Sequence, residues 1–247
     1  MKKYKNYIIG VVVVLILVSL LLLYFNNKKE DSFKKTYESL NTEVVDPTLK
    51  YRTLNLEYTS IIEETTMEEI VKKTKDKETF IVYFGFESCP WCRSIITTAL
   101  EMAHEKGIKK IYYVDVRPGK DSYETDIRDE YAIDDKGKIY LDREGTEAYH
   151  ELLKLYDNVL KDYKRGKITS LDKTEFKGAK RLGAPNIISV KEGIPQEMIT
   201  GLSEKQEEPM QELTEELIND MKDIFSKFYD GFNSDKIVVP GVCDEDC

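Results

Sequence analysis

The sequence holds four cysteines, and they come as two close pairs: Cys89-Pro90-Trp91-Cys92 and Cys243-Asp244-Glu245-Asp246-Cys247. Two thiols separated by two residues at the start of a helix can exchange disulfides. The first helical turn leaves N–H groups unpaired and carries the positive end of the helix dipole, and both favour a thiolate. On this reading Cys89 attacks a disulfide sulfur and Cys92 resolves the resulting mixed disulfide. Pro90 suits a first-turn position that has no N–H to lose. Two other readings stay open. The pair could be half of a zinc site that Cys243 and Cys247 complete, or a structural disulfide without catalytic use. Against zinc, the second pair is spaced by three residues, and neither histidine, His104 or His150, neighbours a cysteine. The expectation is therefore no metal, and no flavin or nucleotide cofactor.

A redox pair needs a strand to deliver it and a helix to carry it. Thr79–Phe86 is aromatic and β-branched without clean alternation, as a central strand buried on both faces should be. After the cysteines, Ile95, Ile96, Ala99, Leu100 and Ala103 share one helical face, and Gly107 is placed to end that helix. Lys109–Val116 reads as the next strand. Strand, redox turn, helix and strand imply a parallel crossover. Upstream, an extended stretch near Leu54–Ile62 precedes Thr65-x-x-Glu68, a capping box that opens a helix to about Lys73. Downstream, 117–182 is mostly polar, with one helix striped by Tyr149, Leu152, Leu153, Tyr156, Leu160 and Tyr163. Pro185–Lys191 reads as a strand with Ile194–Thr200 as its hairpin partner across Glu192-Gly193. A last amphipathic helix starts between Pro209 and Thr214 and carries Leu217, Met221, Ile224 and Phe228.

With 247 residues, 34% of them charged, and a net charge of -9, the chain has room for a sizeable core and carries no basic surplus. That balance excludes nucleic acid as a partner, because phosphate contacts need Lys and Arg. The N-terminus differs. Tyr7–Phe25 is a run of nineteen uncharged residues, about the length that crosses a bilayer core as a helix. It follows a six-residue tail with three lysines and lacks the small-residue ending of a cleaved signal, so it reads as an uncleaved single-pass anchor. Lysines flank both ends of the run almost equally, so charge alone leaves the orientation open. The short N-terminal tail and the paired cysteines favour an extracytoplasmic domain. Residues 26–51 read as a polar stalk, 52–232 as the folded domain, and 233–247 as a loose tail.

These motifs together resemble the thioredoxin superfamily: strand–Cys89-Pro90-Trp91-Cys92–helix–strand, then Gly183-Ala184-Pro185 leading into an apolar strand and Lys191-Glu192-Gly193. The Thr146–Leu153 helix and Lys180-Arg181-Leu182-Gly183-Ala184-Pro185 resemble the membrane-anchored thioredoxin-like proteins of Gram-positive bacteria, some described as bacteriocin-transport accessory proteins. The resemblance implies an α/β fold with a mixed central sheet flanked by helices. It implies a cis-proline at Pro185 facing the cysteines, with Ala184 pairing its backbone with substrate beside Pro90 and Trp91. The activity it implies is thiol–disulfide exchange with protein thiols and disulfides, with a redox partner to recycle the pair. The chain departs from thioredoxin at Tyr83, at Ser88, which replaces the Trp before the motif, and at Pro90-Trp91, which replace Gly-Pro. Tyr83 stands where thioredoxin has a buried acid, six residues before the first cysteine. Glu87 is a candidate substitute for that acid. The 67 residues between Val116 and Ala184 exceed the plain fold, so about 118–180 reads as a helical insertion. Cys243 and Cys247 are candidate accessory thiols, although the three acids between them oppose thiolate formation. A non-catalytic adaptor in peptide export or envelope assembly, and a glutathione-using glutaredoxin, are the rival readings.

Overall fold

A computed structural model describes residues 12–20, 32–46, 49–119, 124–136, 139–162 and 180–237. In chain order the elements are a helix at 32–39 (α1), strands Val44–Asp46 (β1), Leu49–Lys50 (β2) and Ile62–Thr65 (β3), and helix Met67–Lys75 (α2). Strand Phe80–Gly85 (β4), helix Pro90–Glu105 (α3) and strand Ile111–Asp115 (β5) follow. Then come strands Glu130–Ile133 (β6) and Ile139–Arg143 (β7), helix Glu147–Leu155 (α4), strands Asn186–Lys191 (β8) and Ile194–Ile199 (β9), and helix Glu215–Asn233 (α5).

The architecture is α/β: a mixed five-stranded sheet, ordered β3-β5-β4-β8-β9, flanked by helices. β3, β5 and β4 are parallel, whereas β8 runs antiparallel to β4, and β9 antiparallel to β8. All six residues of β4 are buried, as expected of a central strand, because helices cover both of its faces. The chain steps across the sheet one way from β3 to β4 and back the other way from β4 to β5. Right-handed crossovers in opposite directions place α2 and α3 on opposite faces. α4 packs on α2, where the Thr74 and Tyr156 hydroxyls bond at 2.9 Å, and α5 packs on α3, where the Tyr229 hydroxyl donates to the Ala99 carbonyl.

Local sequence sets the ends of these helices. α3 stops where Gly107, at φ 72°, turns the chain so that its own N–H bonds His104 and that of Ile108 bonds Ala103. α5 begins at Thr214, whose hydroxyl accepts the Leu217 N–H, and its C-terminal carbonyls receive the ammonium of buried Lys191. Phe225, rather than its neighbour Ile224, is fully buried beside Leu217, Met221 and Phe228. The cap of α2 is Thr66, one residue later than the Thr65–Glu68 pattern predicts, because Thr65 is still paired with Val114 in the sheet.

Three stretches differ from the sequence reading. The region expected as a stalk, 26–51, joins the fold from residue 32: Phe33 and Tyr37, one helical turn apart, are buried in the core. Two aromatics on an otherwise polar helix form too narrow a stripe to stand out by composition. Within 118–180, β6 and β7 form an antiparallel hairpin where no strand is expected, since short strands carrying Glu130, Asp142 and Arg143 read as loop. The stripe from Tyr149 outlasts its helix. α4 ends at Leu155, Tyr156 and Leu160 are buried by the turn that follows, and Tyr163 lies outside the described residues. Of the Tyr7–Phe25 run only 12–20 is described; it is helical and exposed, and among the described residues no helix is long and apolar enough to cross a membrane.

Candidate active site

β4 ends at Gly85, and the chain turns through Phe86, Glu87 and Ser88 into α3. Cys89 is the N-cap of that helix, with Pro90 as its first helical residue. The Cys89 sulfur therefore lies over the open first turn and accepts the Cys92 N–H at 3.2 Å. Both residues are free thiols. Cys89 retains 3% exposure and Cys92 none, while Pro90 and Trp91 are half-buried beside them.

The two thiols are electrostatically unequal. Burial alone would push the Cys89 thiol up, but hydrogen bonds from the Cys92 thiol and from the Cys92 and Trp91 backbones, helped by the charge of Arg128, bring it below its ordinary value. Cys92 is driven well up by burial, then by its bond to Cys89 and the nearby Cys89 charge. The arrangement favours the thiolate at Cys89 and the protonated thiol at Cys92.

The second wall comes from the far side of the chain. Ala184–Pro185 is a cis peptide, the isomer that the resemblance implies, and the Cys89 thiol donates to the Ala184 carbonyl at 3.5 Å. The turn is held by buried Asn186, whose side-chain oxygen accepts the Gly183 N–H at 2.5 Å.

Several contributors carry no sequence signal of their own. Arg128, buried at 4% exposure, makes a two-pronged pair with Asp126 at 2.7 and 2.9 Å and donates to the Leu182 carbonyl just before the cis turn. Arg117 also binds Asp126 at 2.7 Å, and both guanidiniums lie over the Phe86 ring. Asp126 is consequently held down to about 2, its burial outweighed by the two arginines. Arg93, next to Cys92, is buried; it donates to the carbonyls of Tyr37, Arg52 and Glu87 and to the side chain of Asn41. It thereby ties residues 37–52 to the first turn of α3.

Tyr83, on β4, is buried near Cys92, and its hydroxyl bonds the Tyr37 hydroxyl at 2.9 Å. Glu87 is half-buried in the loop, and its charge acts on Asp115, Arg93 and Tyr51. Asp115, at the end of β5, is raised to about 6 by burial and by the neighbouring charges of Glu87, Asp126 and Glu64. An acid closing a parallel strand beside the active strand is a signal that the sequence did offer. Cys243 and Cys247 lie outside the described residues. Among the described residues no group of three or more His, Cys, Asp or Glu is arranged to hold a metal ion.

No family model matches this sequence, and no curated protein was found to be similar to it.

Proposed function

We propose that the chain is a membrane-tethered thiol–disulfide oxidoreductase of thioredoxin-like fold, anchored through Tyr7–Phe25 with its domain on the extracytoplasmic face. The observation that carries the exchange reading is the inequality of the two thiols: a stabilised, marginally exposed Cys89 at a helix start over a protonated, sealed Cys92. The Cys89 thiolate attacks a protein disulfide, forming a Cys89–substrate bond and expelling one substrate thiolate. Cys92 then attacks the Cys89 sulfur, which releases the second substrate thiol and leaves Cys89–Cys92 oxidised. The reverse sequence oxidises a substrate, and the reduction potential decides the direction. The Ala184 carbonyl, beside the sulfur, serves as the acceptor against which an incoming chain lies, and a separate dithiol or disulfide partner recycles the pair.

The test uses the full chain with Cys92 replaced by Ala, incubated with a disulfide-bonded protein and quenched in acid. A mixed disulfide on Cys89, absent from Cys89→Ala, is expected. A pair that stays oxidised at potentials far below about −300 mV, with no trapped adduct, would instead favour an adaptor whose disulfide is permanent.

A further inference from the structure

Outside the helical stretch 12–20, the exposed large apolar side chains among the described residues are Val44, Val45, Tyr58, Tyr140, Leu141 and Ile237. Four of these six stand on two small hairpins: Val44 and Val45 on β1, Tyr140 and Leu141 on β7. Consecutive residues of a strand point to opposite faces. Both members of each pair are about half exposed, so at these positions both faces of each hairpin meet solvent. β1–β2 and β6–β7 are two-stranded sheets separate from the central one, so all four are edge strands among the described residues. Apolar residues on an exposed edge invite another chain, and a fold keeps them where a partner uses them.

A buried arginine anchors each hairpin to one wall of the site. Arg93, on the first turn of α3, grips both legs of the first. It donates to the Asn41 side chain before β1 at 2.9 Å and to the Arg52 carbonyl after β2 at 2.6 Å. Its guanidinium lies 5.4 Å from the centre of the Tyr51 ring and also donates to the Glu87 carbonyl, two residues before Cys89. Arg128 serves the second hairpin. It pairs with Asp126, whose backbone carbonyl takes the guanidinium of Arg143 at the end of β7. It also donates to the Leu182 carbonyl at 3.3 Å, while Glu130, the first residue of β6, binds Arg181 at 2.8 Å. Ala184, whose carbonyl meets the Cys89 sulfur, follows two residues after Leu182. One hairpin is thus fixed to the α3 wall and the other to the cis-proline wall.

Charge narrows the occupant. Residues 43–50 and 130–143 each hold one more acid than base, so neither hairpin has the basic surplus that acidic lipid attracts. An extended polypeptide fits an apolar edge strand, because it pairs its backbone with the edge and lays alternate side chains on it.

We propose that the two hairpins dock an extended, apolar segment of a disulfide-bearing polypeptide on either side of the bond that Cys89 attacks. The inference rests on the exchange reading above and names its substrate class: chains not yet folded, with apolar residues flanking the cysteines, rather than a small thiol such as glutathione.

The experiment uses the full chain, turned over by dithiothreitol, with two disulfides. One is a synthetic extended peptide whose single disulfide is flanked by leucine and valine. The other is an aromatic disulfide with a coloured thiolate, too small to reach the hairpins. The variants are Val44→Ser with Val45→Ser, and Tyr140→Ser with Leu141→Ser, which at exposed positions cost little stability. We expect each pair to raise the KM for the peptide about fivefold or more, with its kcat and the aromatic disulfide's rate within about twofold of the parent. An unchanged peptide KM in both, or both substrates slowed alike, would overturn the docking. A defect present in vesicles of phosphatidylcholine and phosphatidylglycerol but absent in detergent micelles would overturn it too, by assigning the hairpins to lipid. So would a parent dimer that the substitutions turn into a monomer, which assigns them to a second copy. A parent chain inactive on both disulfides would mean that the exchange reading itself had failed, and the docking with it.

Discussion

The sulfur of Cys89 lies 3.5 Å from the carbonyl oxygen of Ala184, a residue 95 positions along the chain. That contact joins the start of α3 to the turn before β8 and closes the site on two sides. It leaves Cys89 as the thiol that a reagent meets first and Cys92 behind it.

Alkylation should follow this order. At neutral pH a small haloacetamide is expected to modify Cys89 and to leave Cys92 intact until the chain unfolds, because Cys92 is both sealed and held protonated. Peptide mapping after timed quenching reads the order directly. Equal labelling of the two would contradict the assignment of attacker and resolver.

Arg128 should govern both stability and reactivity. Arg128→Met leaves buried Asp126 with Arg117 alone and is expected to cost about 3 kcal/mol in denaturant unfolding. It also removes a positive charge that favours the Cys89 thiolate, so the midpoint of the alkylation-rate profile should move to higher pH. The Asp126 pairing stabilises the fold above the ordinary carboxyl range and is lost as pH falls through about 2. The variant should thus lose most at neutral pH and little in strong acid.

Asp115 should act on stability in the opposite sense. Its carboxyl is raised from 3.8 to about 6, so the folded state holds a proton that the unfolded chain has released. Stability is therefore highest below about 4 and declines as pH rises through about 6. Asp115→Asn removes that decline. Its melting temperature should exceed the parent's at pH 7.5, and the two should converge near pH 4. A constant offset across this range would sink the explanation.

Gly85 makes room for Tyr83. A Cβ placed on Gly85 would stand 2.5 Å from the Tyr83 hydroxyl and 2.6 Å from its ring, so Gly85→Ala must push that side chain aside. The expected cost is about 1–3 kcal/mol, read by denaturant unfolding. Pairing it with Tyr83→Phe should make the two effects less than additive, because the phenylalanine has already lost the nearest clashing atom.

The sequence by itself determined the parts that depend on local pattern. The unbroken apolar run of β4, the Cys89–Cys92 spacing at a helix start, Gly107 as the stop of α3 and the β8–β9 hairpin around Gly193 are each written within a few neighbouring residues. Tyr83 was also visible as the residue occupying the place of an acid. Only the tertiary structure decided what surrounds the sulfurs. Tyr37 comes from a helix that composition reads as stalk, Arg128 and Asp126 from a polar stretch without periodicity, and Asp115 from the neighbouring strand. Their roles arise from burial and from distances between residues far apart in the chain. A lone Arg or Tyr carries no periodic signature, and its charge or hydroxyl gains its effect only when packing removes the water around it.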